Sequence, residues 1–107
     1  MLYLRNCHII DEMSDYIDDI LIEKGKIKLI GKAEITNYIN NINQEALLPD
    51  LHVQTKLDIL ELDLCNRLVM PAFVDLHFHM RNPGQEHKET FISANKAAIK
   101  GGYTDLL

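Results

Sequence analysis

The sequence has few of the residues that mark secreted, metal-knuckle or nucleic-acid-binding proteins. Its 107 residues include two cysteines, Cys7 and Cys65, whose wide separation is not that of a metal knuckle. We expect both to be reduced structural thiols. Sixteen acidic residues outnumber eleven basic ones, for a formal net charge of −5. Because nucleic acids bind basic surfaces, we expect no nucleic-acid partner.

Long apolar runs are also missing. No stretch approaches the ~20 apolar residues that a membrane span needs. The first residues, Met1 to Asn6, lack a basic region followed by an apolar segment. We therefore expect neither a membrane segment nor a signal peptide, and a cytoplasmic location. The chain is 47% hydrophobic, which suffices for one small domain with a modest core.

Residues 1–67 have the pattern of a small β-rich unit with one helix. Strands are predicted over residues 2–10 and 56–64, where apolar residues dominate or alternate with polar ones. A hairpin is predicted over residues 19–30, because two apolar runs flank a Lys-Gly loop and glycine accepts the positive φ of such turns.

Two side-chain patterns within this region give more detailed predictions. In the second arm of the hairpin, Ile27 and Leu29 are expected on one side of the strand. A helix is predicted over residues 34–47, because its apolar residues follow helical spacing. These residues are Ile35, Tyr38, Ile39 and Ile42.

From Leu68 onward the pattern changes to strand, loop, helix and the start of a second strand. The apolar run from Leu68 to Val74 is interrupted by a proline and is typical of a strand buried on both faces. Residues 87–100 are predicted to be helical, with a Gly-Gly pair at the C-terminal cap. The expected inward side chains are Phe91, Ala94, Ala98 and Ile99. Residues 68–107 therefore predict one βα unit of a parallel α/β fold.

Residues 75–81 contain the chemically informative motif. Side chains two apart along a strand point to the same side, which would collect Asp75, His77, His79 and Arg81. The intervening residues are apolar and are expected to pack on the other side. They are Leu76, Phe78 and Met80. The motif thus separates a packing side from a column of metal-binding and anion-binding groups.

Two imidazoles at this spacing can hold one divalent transition metal, and histidine nitrogen suits Zn²⁺. A bound zinc ion lowers the pKa of a coordinated water from ~15.7 towards 7. His77 and His79 are therefore candidate metal ligands, although catalytic zinc usually has at least three protein ligands. Asp75 would be a further ligand or an outer carboxylate that orients a histidine. The alternative is a structural polar cluster without a metal.

One arginine and three further histidines are the remaining candidate site residues. Arg81 would bind a carboxylate through its planar fork, or would be a solvated arginine at the start of a loop. His8 and His52 are expected to have no site role, and His87 is expected at the surface or at a helix cap. These residues leave the metal pair and Arg81 as the candidate site.

The chain resembles the dihydroorotases of the amidohydrolase superfamily. The resemblance is carried by residues 68–84, which include Asp-Leu-His-Phe-His-Met-Arg-Asn-Pro-Gly, then by Lys88-Glu89 and by the run from Ala97 to Thr104. The Arg-x-Pro-Gly continuation with Lys-Glu soon after is fairly specific, whereas other amidohydrolases share the His-x-His alone. Residues 19–27 resemble the hairpin of the small β-domain in the same superfamily.

The resemblance implies a (β/α)₈ barrel with a small β-sandwich built from both chain ends. His77 and His79 would bind one or two Zn²⁺ ions, and Arg81 would bind the carboxylate of dihydroorotate or N-carbamoyl aspartate. The reaction would be the reversible ring closure and hydrolysis of this cyclic amide in de novo pyrimidine synthesis. The implied partners are the small-molecule substrate, possible further copies of the protein, and aspartate transcarbamoylase.

The chain is much shorter than a protein with this fold. Such a barrel takes ~250 residues, so residues 68–107 would supply only its first βα unit, after an N-terminal part of the sandwich in residues 1–67. The chain is therefore expected to be an N-terminal fragment, inactive alone, with its catalytic residues beyond Leu107. Two alternatives stay open: a hydantoinase- or allantoinase-type cyclic amidase, and a non-catalytic dihydroorotase-like scaffold. In a fragment, Phe73, Leu76 and Phe78 should be exposed.

Overall fold

The computed structural model describes residues 1–45, 58–79, 83–84, 87 and 90–107. The chain is divided into two compact units, Met1–Met70 and Pro71–Leu107. The first unit extends three residues beyond the sequence-based boundary before Leu68, because Leu68–Val69 forms a short strand of the first sheet. Within the described ranges, no helix has the length and apolar character required to span a membrane.

The first unit is a mixed sheet with one helix. Its strands are β1 (Leu2–Ile10), β2 (Asp15–Glu23), β3 (Lys26–Ile30), β4 (Leu60–Asp63) and β5 (Leu68–Val69). The order is β3-β2-β1-β4, and β5 also pairs with β1. Strands β2 and β3 are antiparallel to their neighbours, whereas β4 and β5 run parallel to β1. The predicted first strand is confirmed, and the described part of the strand predicted over 56–64 is β4.

The predicted hairpin is also confirmed. Lys24 and Gly25 both have positive φ, 52° and 74°, which matches the two-residue turns that follow the twist of paired strands. The prediction that Ile27 and Leu29 share a side is wrong. A register shift pairs Ile27 with Ile22 but Leu29 with Leu21, and these two partners point to opposite faces.

Helix α1 (Lys32–Glu45) agrees with the predicted helix, whose last two residues lie outside the described ranges. It begins after Gly31, whose φ of 127° favours glycine. The Asp18 carboxylate accepts the Lys32 backbone N–H at 2.9 Å, which satisfies one free donor of the first turn. The helix contacts β2 and β3, and its Ile35 is completely buried.

A buried carboxylate holds the irregularity in the central strand. Asp19 is 4% exposed, and its Oδ2 accepts the Tyr3 hydroxyl at 2.6 Å. Its Oδ1 accepts the backbone N–H of Asn6 at 2.9 Å. Asn6 has a φ of 52° and lies where the β1–β2 register shifts, between Leu4 and Cys7. The carboxylate therefore satisfies a donor that the bulge removes from the strand ladder.

The face of this sheet opposite Asp19 and Tyr3 carries two cross-strand rows of aliphatic side chains. The pairing aligns four strands in each row. One row contains Ile27, Ile22, Leu2 and Leu60, and the next contains Ile30, Ile20, Leu4 and Leu62. Burial falls from the middle to the ends: Ile20 is 3% exposed, whereas Ile27 and Leu60 are 63% and 62% exposed. We call these eight residues the aliphatic face.

The second unit has the predicted order of strand, helix and strand. The prediction of one strand from Leu68 to Val74 is wrong, because Leu68–Val69 pairs with β1 in the first sheet and the strand of the second unit begins at Phe73. Strand β6 (Phe73–Asp75), helix α2 (Phe91–Gly101) and strand β7 (Tyr103–Leu106) follow in order, and β6 and β7 are parallel. Helix α2 begins later than predicted because Thr90 caps it: the Thr90 hydroxyl accepts the Ser93 N–H, and the Ser93 hydroxyl accepts the Thr90 N–H. It ends at Gly102, whose φ is 84°.

Apolar side chains of the second unit are largely uncovered. Of the predicted inward residues of α2, Ala94 is buried, but Phe91 and Ile99 are exposed, so the prediction is wrong for these two. Ala98 is half-buried. On β6, Phe73 is 47% exposed, and Leu76 beyond it is 75% exposed, which confirms the expectation for both. Phe78 is half-buried.

Replacement of Asp19 by alanine should destabilise the first unit strongly. The Tyr3 hydroxyl and the Asn6 N–H would lose their acceptor, which should lower the free energy of unfolding by about 2–4 kcal/mol. Asp15→Ala on the same strand is the matched control, since its side chain is 73% exposed and pairs with His8. It should cost less than about 1 kcal/mol. Urea unfolding followed by circular dichroism compares them, and equal losses would contradict the role of Asp19.

The Tyr3 hydroxyl should make stability depend on alkaline pH. Burial, and then the hydrogen bond to the Asp19 carboxylate, raise the pKa of Tyr3 to about 12. In the unfolded chain the hydroxyl of Tyr3 should titrate near pH ~10. The stabilisation that this hydroxyl provides is therefore complete below that pH and is lost as pH rises towards 12. Tyr3→Phe should therefore show a shallower decline of the urea midpoint between pH 10 and pH 12. Parallel declines in the two proteins would argue against this assignment.

The exposed apolar surfaces should cause the isolated chain to self-associate. Contiguous apolar surface of this kind promotes association, and the aliphatic face combines it with strand edges. Ile27→Lys should reduce association, whereas Met13→Lys, which replaces an apolar residue that is 89% exposed in the β1–β2 loop, should not. Static light scattering against concentration measures both, and a monomeric wild-type chain would count against the prediction.

Candidate metal site

The two histidines of the motif meet just after the end of strand β6. The strand stops at Asp75, earlier than the continuous strand assumed from the sequence, and residues 76–77 form a bend. The rings nevertheless come together: His77 Nε2 and His79 Nε2 are 2.9 Å apart. The imidazoles are edge-on, with centroids 4.7 Å apart at 79°. Both side chains are exposed and therefore accessible to a ligand from solvent.

Backbone hydrogen bonds hold the segment that carries these rings. The Asp75 carboxylate Oδ1 accepts the backbone N–H of His77 at 3.0 Å. The Leu107 carbonyl accepts the Phe78 N–H at 2.8 Å, and the Asp75 carbonyl accepts the Leu107 N–H at 2.9 Å. Two successive amides are thus bound, one by a side chain of β6 and one by the backbone after β7.

The sequence did not reveal the part played by Leu107. A residue that acts through its backbone carbonyl carries no side-chain signal, and only the parallel pairing of β6 with β7 places it beside Phe78. The same pairing explains the orientation of the site. Both strands end on the same edge of the small sheet, and polar groups at the carboxyl ends of parallel strands are where α/β proteins carry their sites.

The histidine pair fits one metal ion with little change. Two nitrogens bound to a tetrahedral zinc at ~2.05 Å are about 3.3 Å apart. The observed separation of 2.9 Å would have to open by only a few tenths of an ångström. Imidazole nitrogens also suit a divalent transition metal.

The other histidines and Arg81 either lie outside the described residues or do not join the His77–His79 pair. Arg81 and His52 lie outside the described residues. His87 is exposed in a turn, and His8 forms a hydrogen bond with Asp15 in the first unit, with 2.6 Å between Nε2 and Oδ1. Among the residues that the structure describes, no three or more His, Cys, Asp or Glu side chains converge to hold a metal ion. The described part of the chain therefore brings together two candidate ligands.

Comparisons with known proteins give this geometry its context. A dihydroorotase from Sulfurihydrogenibium sp. (strain YO3AOP1) is 35% identical over 109 residues, covering 100% of this chain and 21% of that protein. Dihydroorotases of Listeria welshimeri and Elusimicrobium minutum are 34% and 38% identical over 99% and 97% of the chain. The chain is homologous to dihydroorotases. No model of a protein family matches it.

The match to dihydroorotases covers this chain but only part of those enzymes. The chain spans about a fifth of the length of the curated relatives it matches. These relatives are named dihydroorotases, and they do not favour the hydantoinase, allantoinase or scaffold alternatives. The mixed sheet with helices fits a β-rich N-terminal part of a dihydroorotase.

Proposed function

We propose that this chain is an N-terminal part of a zinc-dependent dihydroorotase and contributes the first two metal ligands, His77 and His79. The substrate would be dihydroorotate, or N-carbamoyl aspartate in the reverse direction, within de novo pyrimidine synthesis. The observation that carries the proposal is the 2.9 Å approach of the two Nε2 atoms at the end of a parallel strand, in a chain homologous to dihydroorotases.

The chain's own residues would divide the work at this site. A bound divalent metal would supply Lewis-acid activation of a water and of the amide carbonyl. His77 and His79 would hold that ion through their Nε2 atoms, and Arg81 would bind the substrate carboxylate through its fork. Asp75 would fix His77. The further ligands and the catalytic residues would come from the remainder of the protein, so the chain alone should be inactive.

The two units correspond to two proposed domains. We assign residues 1–70, which include β5, to a composite β-sandwich, since the aliphatic face has the apolar character that a second sheet would cover. We assign residues 71–107, in which β6, α2 and β7 form a βαβ unit, to the first part of a (β/α)₈ barrel. The exposed apolar side chains of β6 and α2 would then face further strands and helices.

The cellular setting follows from the proposed activity. One or two zinc ions would be bound, and the protein would be cytoplasmic. Free Cys7 and Cys65 are compatible with a reducing compartment. Association with aspartate transcarbamoylase and assembly into a homo-oligomer remain predictions, and the small-molecule substrate is the partner that the homologues support.

The complete protein to which we assign this chain should hydrolyse dihydroorotate when loaded with zinc. His77→Ala and His79→Ala should each lower activity more than about 100-fold, because loss of a ligand exceeds the effect of losing an outer-shell partner. His87→Ala, an exposed residue, is the matched control. Turnover is followed by the ultraviolet absorbance of dihydroorotate, and zinc content by mass spectrometry.

Two outcomes would contradict the proposal. Hydrolysis of hydantoin without hydrolysis of dihydroorotate by the complete protein would assign it to another cyclic amidase. Turnover of dihydroorotate by the zinc-loaded 107-residue chain would show that the site is complete within this sequence.

A further inference from the structure

We propose that Asp75 is a positioning residue that acts through the backbone of His77 and holds the two imidazoles within a few tenths of an ångström of the separation that a metal ion requires. Its carboxylate Oδ1 accepts the His77 N–H at 3.0 Å. The inference depends on the proposed metal role of His77 and His79, and it adds how the pair is held before any metal arrives.

The need for such a contact follows from where the strand ends. Beyond Asp75 the regular pairing of β6 with β7 stops, so the next residues lose the ladder that would fix them. Packing contributes little, because Leu76 is 75% exposed and both imidazoles are exposed. Two hydrogen bonds hold the backbone between the end of β6 and the His79 ring. The His77 N–H donates to the Asp75 carboxylate, and the Phe78 N–H donates to the Leu107 carbonyl.

The geometry distinguishes this role from two others that a carboxylate beside a histidine pair can play. A metal ligand or an acceptor for an imidazole N–H uses its negative charge. An acceptor for a backbone N–H requires only an oxygen at the right position. Since Asp75 Oδ1 is bonded to the backbone N–H, asparagine, which keeps an oxygen at that position, should replace it, whereas alanine should not.

The difference between asparagine and alanine at position 75 can be tested on the complete protein, by measuring its zinc affinity in competition with a chelator. Asp75→Ala should weaken zinc binding about 10–100-fold, the usual effect of losing a residue that orients a ligand. Asp75→Asn should stay close to wild type. Asp105→Ala, on the paired strand β7, is the matched control and should also bind normally, since its carboxylate bonds to the Thr104 hydroxyl. Equal losses in the alanine and asparagine variants, or no loss in either, would overturn the proposal.

Amide hydrogen exchange in the metal-free protein gives a second, independent readout. The His77 amide should be protected in the wild type and in Asp75→Asn, and should exchange faster in Asp75→Ala. Unchanged protection in Asp75→Ala would overturn the proposal, and circular dichroism checks that all variants fold. If the wild type bound no zinc, the proposed function would fail, while the exchange comparison would still decide how Asp75 holds His77.

Discussion

The bulge at Asn6 is the constraint on which the first unit depends. Strand β1 lies between β2 on one side and β4 with β5 on the other, so any change of its register affects every pairing in the sheet except that of β2 with β3. Asn6 forms three hydrogen bonds. Its N–H donates to the Asp19 carboxylate, its carbonyl accepts the N–H of Asn66, and its carboxamide donates to the Asp63 carboxylate. The last bond, followed by that from the Cys65 N–H, holds the pKa of Asp63 below its ordinary value.

This arrangement explains how one strand pairs with two separate parallel segments. Strands β4 and β5 are separated by a turn in which Cys65 and Asn66 both have positive φ. That turn lies beside the bulge, so the interruption in one strand is matched by an interruption in its neighbour. The desolvation cost of burying Asp19 next to the bulge is offset because both of its oxygens accept hydrogen bonds.

Much of the fold could be predicted from residue patterns, because it follows from local rules. The glycine of the Lys-Gly turn accepts the positive φ that a two-residue hairpin turn needs, and Gly102 ends α2 for the same reason. The errors arose where a nonlocal contact decided the outcome. The shift that separates Ile27 from Leu29 depends on pairing with β2, and the exposure of Phe91 depends on what else covers the helix.

The candidate site shows the same division between local and nonlocal information. The His-x-His spacing predicted that two rings would meet, and they do, yet the reason differs from the one the pattern suggested. A continuing strand would have placed the rings side by side on one face, about 7 Å apart at their Cα atoms. Instead the strand ends, and a bend brings the Nε2 atoms to 2.9 Å.

The bend also makes the histidine pair depend on the pairing of β6 with β7. Holding the rings close in advance lowers the entropic cost of binding a metal, since fewer rotamers must be fixed at that moment. That advantage lasts only while β6 and β7 stay paired, because the Leu107 carbonyl that accepts the Phe78 N–H comes directly after β7. A two-stranded sheet with exposed apolar residues is marginal in water. Further strands would therefore support this site by stabilising the β6–β7 pair, in addition to any ligands they bring.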